Sequence, residues 1–159
     1  MTNKTSYQRK FLVVIDETKE CDRAVTFAAY RVLRTGGTVV LMSIIGNDQF
    51  QHWLGVQNVL RAESLEKAKE LLQLRAENIL KIGDIKVEQV VREGRKAEQI
   101  QELIAEDSDI AILVLASSAS SEGPGPLVAA FTGQGPNALS IPVTIVPGSV
   151  SDEHIIALC

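Results

Sequence analysis

The sequence predicts an α/β fold in which a parallel, five-stranded sheet is covered by helices on both faces. Three observations carry that prediction. The runs "FLVVID" (11–16), "TVVLMSII" (38–45) and "IAILVLA" (110–116) are short, apolar and rich in β-branched residues, as strands buried on both faces are. Between the strands lie segments with apolar residues three and four apart, so strand and helix alternate along the chain. Finally, 159 residues suit one domain and are enough for a full core with no disulfide or metal. Right-handed crossovers leave few ways to connect such elements.

Taken in order, Thr18 reads as the N-cap of the first helix, with Glu20 and Asp22 favouring its positive end. That helix shows Cys21, Ala24, Val25, Ala28 and Val32 on one face and stops at Gly36–Gly37. After the second strand, residues 46–57 form a polar and aromatic connection. A long helix then runs from about Asn58 to Lys81, with Leu65, Ala68, Leu72, Ala76 and Ile79 inward and a Glu63–Lys67 pair outward. "KVEQVVRE" (86–93) alternates, as a strand near an edge does, and Gly94 turns the chain into a helix over 96–106 that buries Ala97, Ile100 and Ile104. The run at 110–116 is the most apolar and reads as the central strand. A fourth helix starts near Pro126, a residue suited to a first turn, and weakens at "GQGP" (133–136). "PVTIVP" (142–147) is the fifth strand, its prolines fitting an edge or interface. The expectation is four helices in a single domain, with 1–9 an N-terminal extension and 148–159 a C-terminal tail that forms at most a last helical turn behind Ser149 or Ser151.

Composition narrows the functional classes. Every Lys and Arg lies at or before Lys96: the first 96 residues carry 16 basic and 12 acidic side chains, the remainder none and 8. No basic stripe with interleaved aromatics exists, which argues against nucleic acid as a partner. No apolar run approaches the roughly 20 residues of a membrane span, and "MTNKTSYQRK" lacks a signal-peptide core, so a cytoplasmic protein is expected. Cys21 and Cys159 make no metal spacing, and Cys21 reads as a buried thiol; His52 and His154 stand apart, and no metal site is expected.

Ligands of open parallel sheets bind beyond the carboxyl ends of the strands, where the strand order reverses. Two segments qualify, "IDETKE" after the first strand and "ASSASSEGPGP" after the fourth. With those strands adjacent, Asp16 faces the serine loop across one crevice. A nucleotide there would place a ribose hydroxyl or magnesium at Asp16. Ser117, Ser118, Ser120 and Ser121 would donate to phosphates, and Gly123 and Gly125 would shape the loop. The alternative is that Asp16 only caps a turn and that 117–126 is a surface loop pinned by its prolines.

"FLVVIDETKECDRAV", the Gly94 turn, "ILVLA" with its small-residue loop, and "IPVTIVP" together resemble the universal stress proteins over about Lys10 to Pro147. The resemblance implies a Rossmann-like three-layer sandwich of strand order 3-2-1-4-5 and a homodimer paired through the last strand, 142–147. It also implies an ATP-binding branch marked by an Asp ending the first strand and by G-x2-G-x9-G-(S/T) after the fourth. Asp16 matches. The glycine positions fall on Ala116, Ala119 and Ala129, and the hydroxyl position on Ala130. Glycine adopts positive φ and lets amides close on a phosphate; alanine in a left-handed conformation costs about 1–2 kcal/mol. Pro124 and Pro126 remove donors and Glu122 adds negative charge. The expectation is a dimeric stress-response protein without the family's usual ATP or magnesium cofactor. Its alternative is an adenine-nucleotide sensor that uses loop 117–125.

His52, Trp53 and Phe50 form either a lid over the crevice or an anchor for the second connection. No G-x-S-x-G elbow, Walker lysine loop or acid pair in a recognisable context supports catalysis, so no catalytic residue is assigned and an enzyme of the related nucleotide α-hydrolase group is the remote third reading.

Overall fold

The structure is a computed structural model that describes residues 9–46, 56–118, 122–132 and 139–159. Strands β1 (Lys10–Val14), β2 (Thr38–Ile45), β3 (Lys86–Glu93), β4 (Ile110–Ser117) and β5 (Val143–Pro147) form one sheet in the order β3-β2-β1-β4-β5. Every pairing is parallel, and Leu12 at the middle of β1 stands opposite Val40 on one side and Leu113 on the other. The middle strand is therefore β1, and the more apolar β4 lies beside it.

Because successive side chains of a strand point to opposite faces, the apolar runs feed two cores. Phe11, Val13, Val39, Leu41 and Val114 pack against α1 (Cys21–Thr35) and α2 (Val56–Ile82). Leu12, Val14, Val40, Met42 and Leu113 pack against α3 (Lys96–Glu106) and α4 (Pro126–Thr132). The expected inward residues of α1 and α3 are buried or packed against these cores. Along α2, Ala68, Leu72, Ala76 and Ile79 are buried, while Leu65 is exposed. No ion pair joins Glu63 to Lys67.

The expectation of four helices is overturned: there are five among the described residues. The tail forms α5 (Asp152–Leu158), whose first turn is held by the Ser151 hydroxyl accepting from the His154 N–H (3.1 Å). Seven residues are too few for a helical period to be legible in the sequence. What fixes α5 is tertiary: Ile155 is fully buried, and the Arg23 guanidinium of α1 reaches Asp152 (2.6 Å) and donates to the Val150 carbonyl (3.1 Å). No described helix is long and apolar enough to cross a membrane.

Candidate functional site

From β1 the chain proceeds through α1 to β2 on one side, while β4 lies on the other side of β1. The strand order reverses there, and a crevice opens above the carboxyl ends of β1 and β4. Asp16 stands two residues beyond β1. Its Oδ1 accepts from both the backbone N–H (2.8 Å) and the hydroxyl (2.5 Å) of Thr18. Thr18 is thus held in an Asp-centred turn and is not the N-cap of α1. That position falls to Glu20, whose side chain makes no capping bond.

The other wall is the segment after β4. The Ser117 carbonyl accepts from the Gly148 N–H (2.9 Å), and the Ser118 N–H donates to the Pro124 carbonyl (3.0 Å), which closes the loop on itself. Gly123 and Gly125 have φ of 107° and 106°, and no described residue other than glycine has positive φ. Ala116, Ala129 and Ala130 therefore carry no left-handed strain: Ala116 belongs to β4, and the other two to α4. The cost expected for alanine at these positions is avoided because the loop places its positive φ at Gly123 and Gly125 instead.

Asp16, Ser118, Gly125 and Ala116 are brought together around a crevice of about 100 Å³. Ser117 and Gly123 shape the loop without lining it. Ala129 is exposed, and Ala130 packs into the core beneath α4. Ala119, Ser120, Ser121, the 133–136 segment, Phe50, His52 and Trp53 lie outside the described residues. Cys21 also lines the crevice; burial pushes its thiol up to about 11, so it stays protonated near neutrality.

Sequence reasoning missed Glu20 and Lys96, which complete the crevice wall. It also missed an adjoining hollow of about 560 Å³ over the ends of β1 and β2, where Ser43, Ser64, Lys67 and Lys96 meet Asp16 and Glu17. One signal was present: Ser43 interrupts an otherwise apolar strand. The approach of Lys67 and Lys96 was invisible, since 29 positions separate them and they come from opposite faces of the sheet.

A parallel 3-2-1-4-5 sheet with a crevice at the β1/β4 reversal defines a Rossmann-like protein with a nucleotide-binding type of fold. The model of the universal stress protein family matches residues 8–147, and the chain belongs to that family of stress-response proteins. Among solved structures, the universal stress protein UspA from Lactobacillus plantarum superposes with a TM-score of 0.74 at 14% identity, covering 87% of this chain and 97% of that one. A universal stress protein from Archaeoglobus fulgidus in complex with dAMP gives 0.60 at 19% identity, covering 88% and 98%. A further solved structure, of a universal stress protein in complex with cAMP, gives 0.60 at 16%, covering 89% and 98%. At such identities the likeness is one of fold. No curated protein matches this chain.

Proposed function

We propose that this protein is a homodimeric stress-response regulator that does not seat ATP in the family's glycine-loop manner, and that it acts through protein contacts or a smaller ligand. The carrying observation is the closed loop beside the crevice. The Ser118 N–H is already committed to Pro124, Pro124 and Pro126 offer no N–H, and the space between Asp16 and this loop is only about 100 Å³. Two carboxylates, Asp16 and Glu20, face a single lysine there, a poor balance for a triphosphate. The residues present do not fit ATP with magnesium. No catalytic role is proposed.

The dimer reading rests on β5, which pairs with β4 on one side only and leaves its outer edge and part of Ile145 exposed. Light scattering that returned a monomer mass at high protein concentration would count against it. The competing sensor reading draws on the relatives solved with dAMP and cAMP and on the positive φ at Gly123 and Gly125. Thermal shift with ATP and magnesium separates the two. Ligand at 100 times its Kd stabilises by about 2.7 kcal/mol, and the expected result here is no shift. A saturable shift abolished by Asp16→Ala would establish the sensor, and nucleotide turnover lost in that variant would establish an enzyme.

A further inference from the structure

We infer that residues 148–159 are a releasable strap: docked, they hold the crevice between Asp16 and the β4 loop closed, and undocking of α5 opens it. The inference rests on the reading of that crevice as closed and adds its regulation. The strap lies wholly beyond residues 8–147, the span matched by the family model.

The first observation is that the strap touches both walls. On the β4 side, Gly148 donates its N–H to the Ser117 carbonyl (2.9 Å). On the other side it lies against Glu20, which lines the crevice next to Cys21. A Cβ at 148 would stand 2.5 Å from Glu20 Cγ and 2.8 Å from the Ser117 oxygen, so bare backbone fills the gap between the walls. Gly148 directly follows Pro147, the last residue of β5, so the strap can leave without unpairing β5 from β4.

The second observation is how little holds the strap down. Of the seven residues of α5 only Ile155 is buried, and the other six are exposed. Arg23 reaches Asp152 and the Val150 carbonyl, but Asp152 is 67% exposed, and an ion pair so open to water contributes little. A unit with one buried side chain opens locally far more often than the whole domain unfolds. Its dock stays in place meanwhile: Asp22 pairs with both Arg23 of α1 and Arg75 of α2, so the Arg23 guanidinium is held from below when the tail leaves.

The test uses the full chain with Cys159→Ser and follows alkylation of the Cys21 thiol by iodoacetamide at one pH. Cys21 is 3% exposed and lines the crevice, so it reacts when the wall opens. Ile155→Ala should speed labelling about thirtyfold or more, Ile155→Val by less, and Asp152→Asn about two- to fivefold. Exchange of the amides at 148 and 159 should rise in parallel, with little dependence on urea below the unfolding transition. Labelling that keeps its wild-type rate while the amide at 159 exchanges faster overturns the strap, since α5 then leaves without moving the wall. Labelling that rises with urea as steeply as global unfolding, even in the mild Ile155→Val and Asp152→Asn variants, also overturns it. Saturable protection of wild-type Cys21 by ATP with magnesium would defeat the closed-crevice reading and the strap with it, whereas the other two results sink the strap alone.

Discussion

Gly148→Ala tests how the crevice wall is held. A Cβ at this position would stand 2.8 Å from the Ser117 carbonyl oxygen and 2.5 Å from Glu20 Cγ. The Glu20 side chain can rotate away, but the Ser117 carbonyl cannot. It belongs to the last residue of β4, paired with Pro147 of β5, and it accepts the Gly148 N–H. Gly148 lies outside the left-handed region, so the penalty is one of space alone. Overpacking of this kind costs about 1–3 kcal/mol, and weakening the hydrogen bond adds about 0.5–1.5 kcal/mol. Since the two share one displacement, a loss of about 2–3 kcal/mol is expected, or a fall in Tm of about 4–12 °C for a chain of this length. Urea unfolding followed by circular dichroism measures the loss, and amide shifts at Ser117, Ser118 and Glu20 locate it. A change below about 0.5 kcal/mol, or shifts that spare Ser117, would refute the argument that the tail fixes this wall.

Three further outcomes are expected. Ile155→Ala removes the buried anchor of α5 and should cost about 2–5 kcal/mol, less if the helix detaches without further unfolding; hydrogen exchange at the Cys159 amide, bonded to the Ile155 carbonyl (3.1 Å), should rise sharply, and unchanged protection would contradict the anchoring role. Gly125→Ala should destabilise by about 1–2 kcal/mol through its φ of 106°, since nothing lies within 4 Å of the added methyl; a neutral result in urea unfolding would show that the loop re-forms with another conformation. The Cys21 thiol is raised from 9.0 to about 11 chiefly by burial, so folding favours its protonated form. That contribution is fully present below pH 9 and disappears as pH rises through about 11, on the order of 3 kcal/mol. Urea stability of wild type and Cys21→Ala should converge over that interval, and parallel profiles would rule the thiol out as the cause.

Much of the fold was legible because local pattern and tertiary environment agree. β2, β3 and α3 have the bounds their patterning implied, and Pro126 begins α4. No residue of β3 is buried, in keeping with its place at the sheet edge. Legibility failed where the deciding partner is distant in sequence. Thr18 resembles a cap until the Asp16 carboxylate is seen to take both its donors. The alanines at 116, 129 and 130 resemble strained substitutions until φ shows that the loop has moved its turn to Gly123 and Gly125.

The sequence by itself determined the alternation of strand and helix, the single apolar core on each side of the sheet and the loss of the family's glycines, since periodicity and residue identity are local properties. Only the tertiary structure decided that α5 forms, that Gly148 clamps Ser117, and that Lys67, Lys96 and Ser43 converge. Each of these depends on side chains or backbone atoms brought together by the parallel crossovers, and the distances created by such crossovers are not encoded in any one stretch of chain.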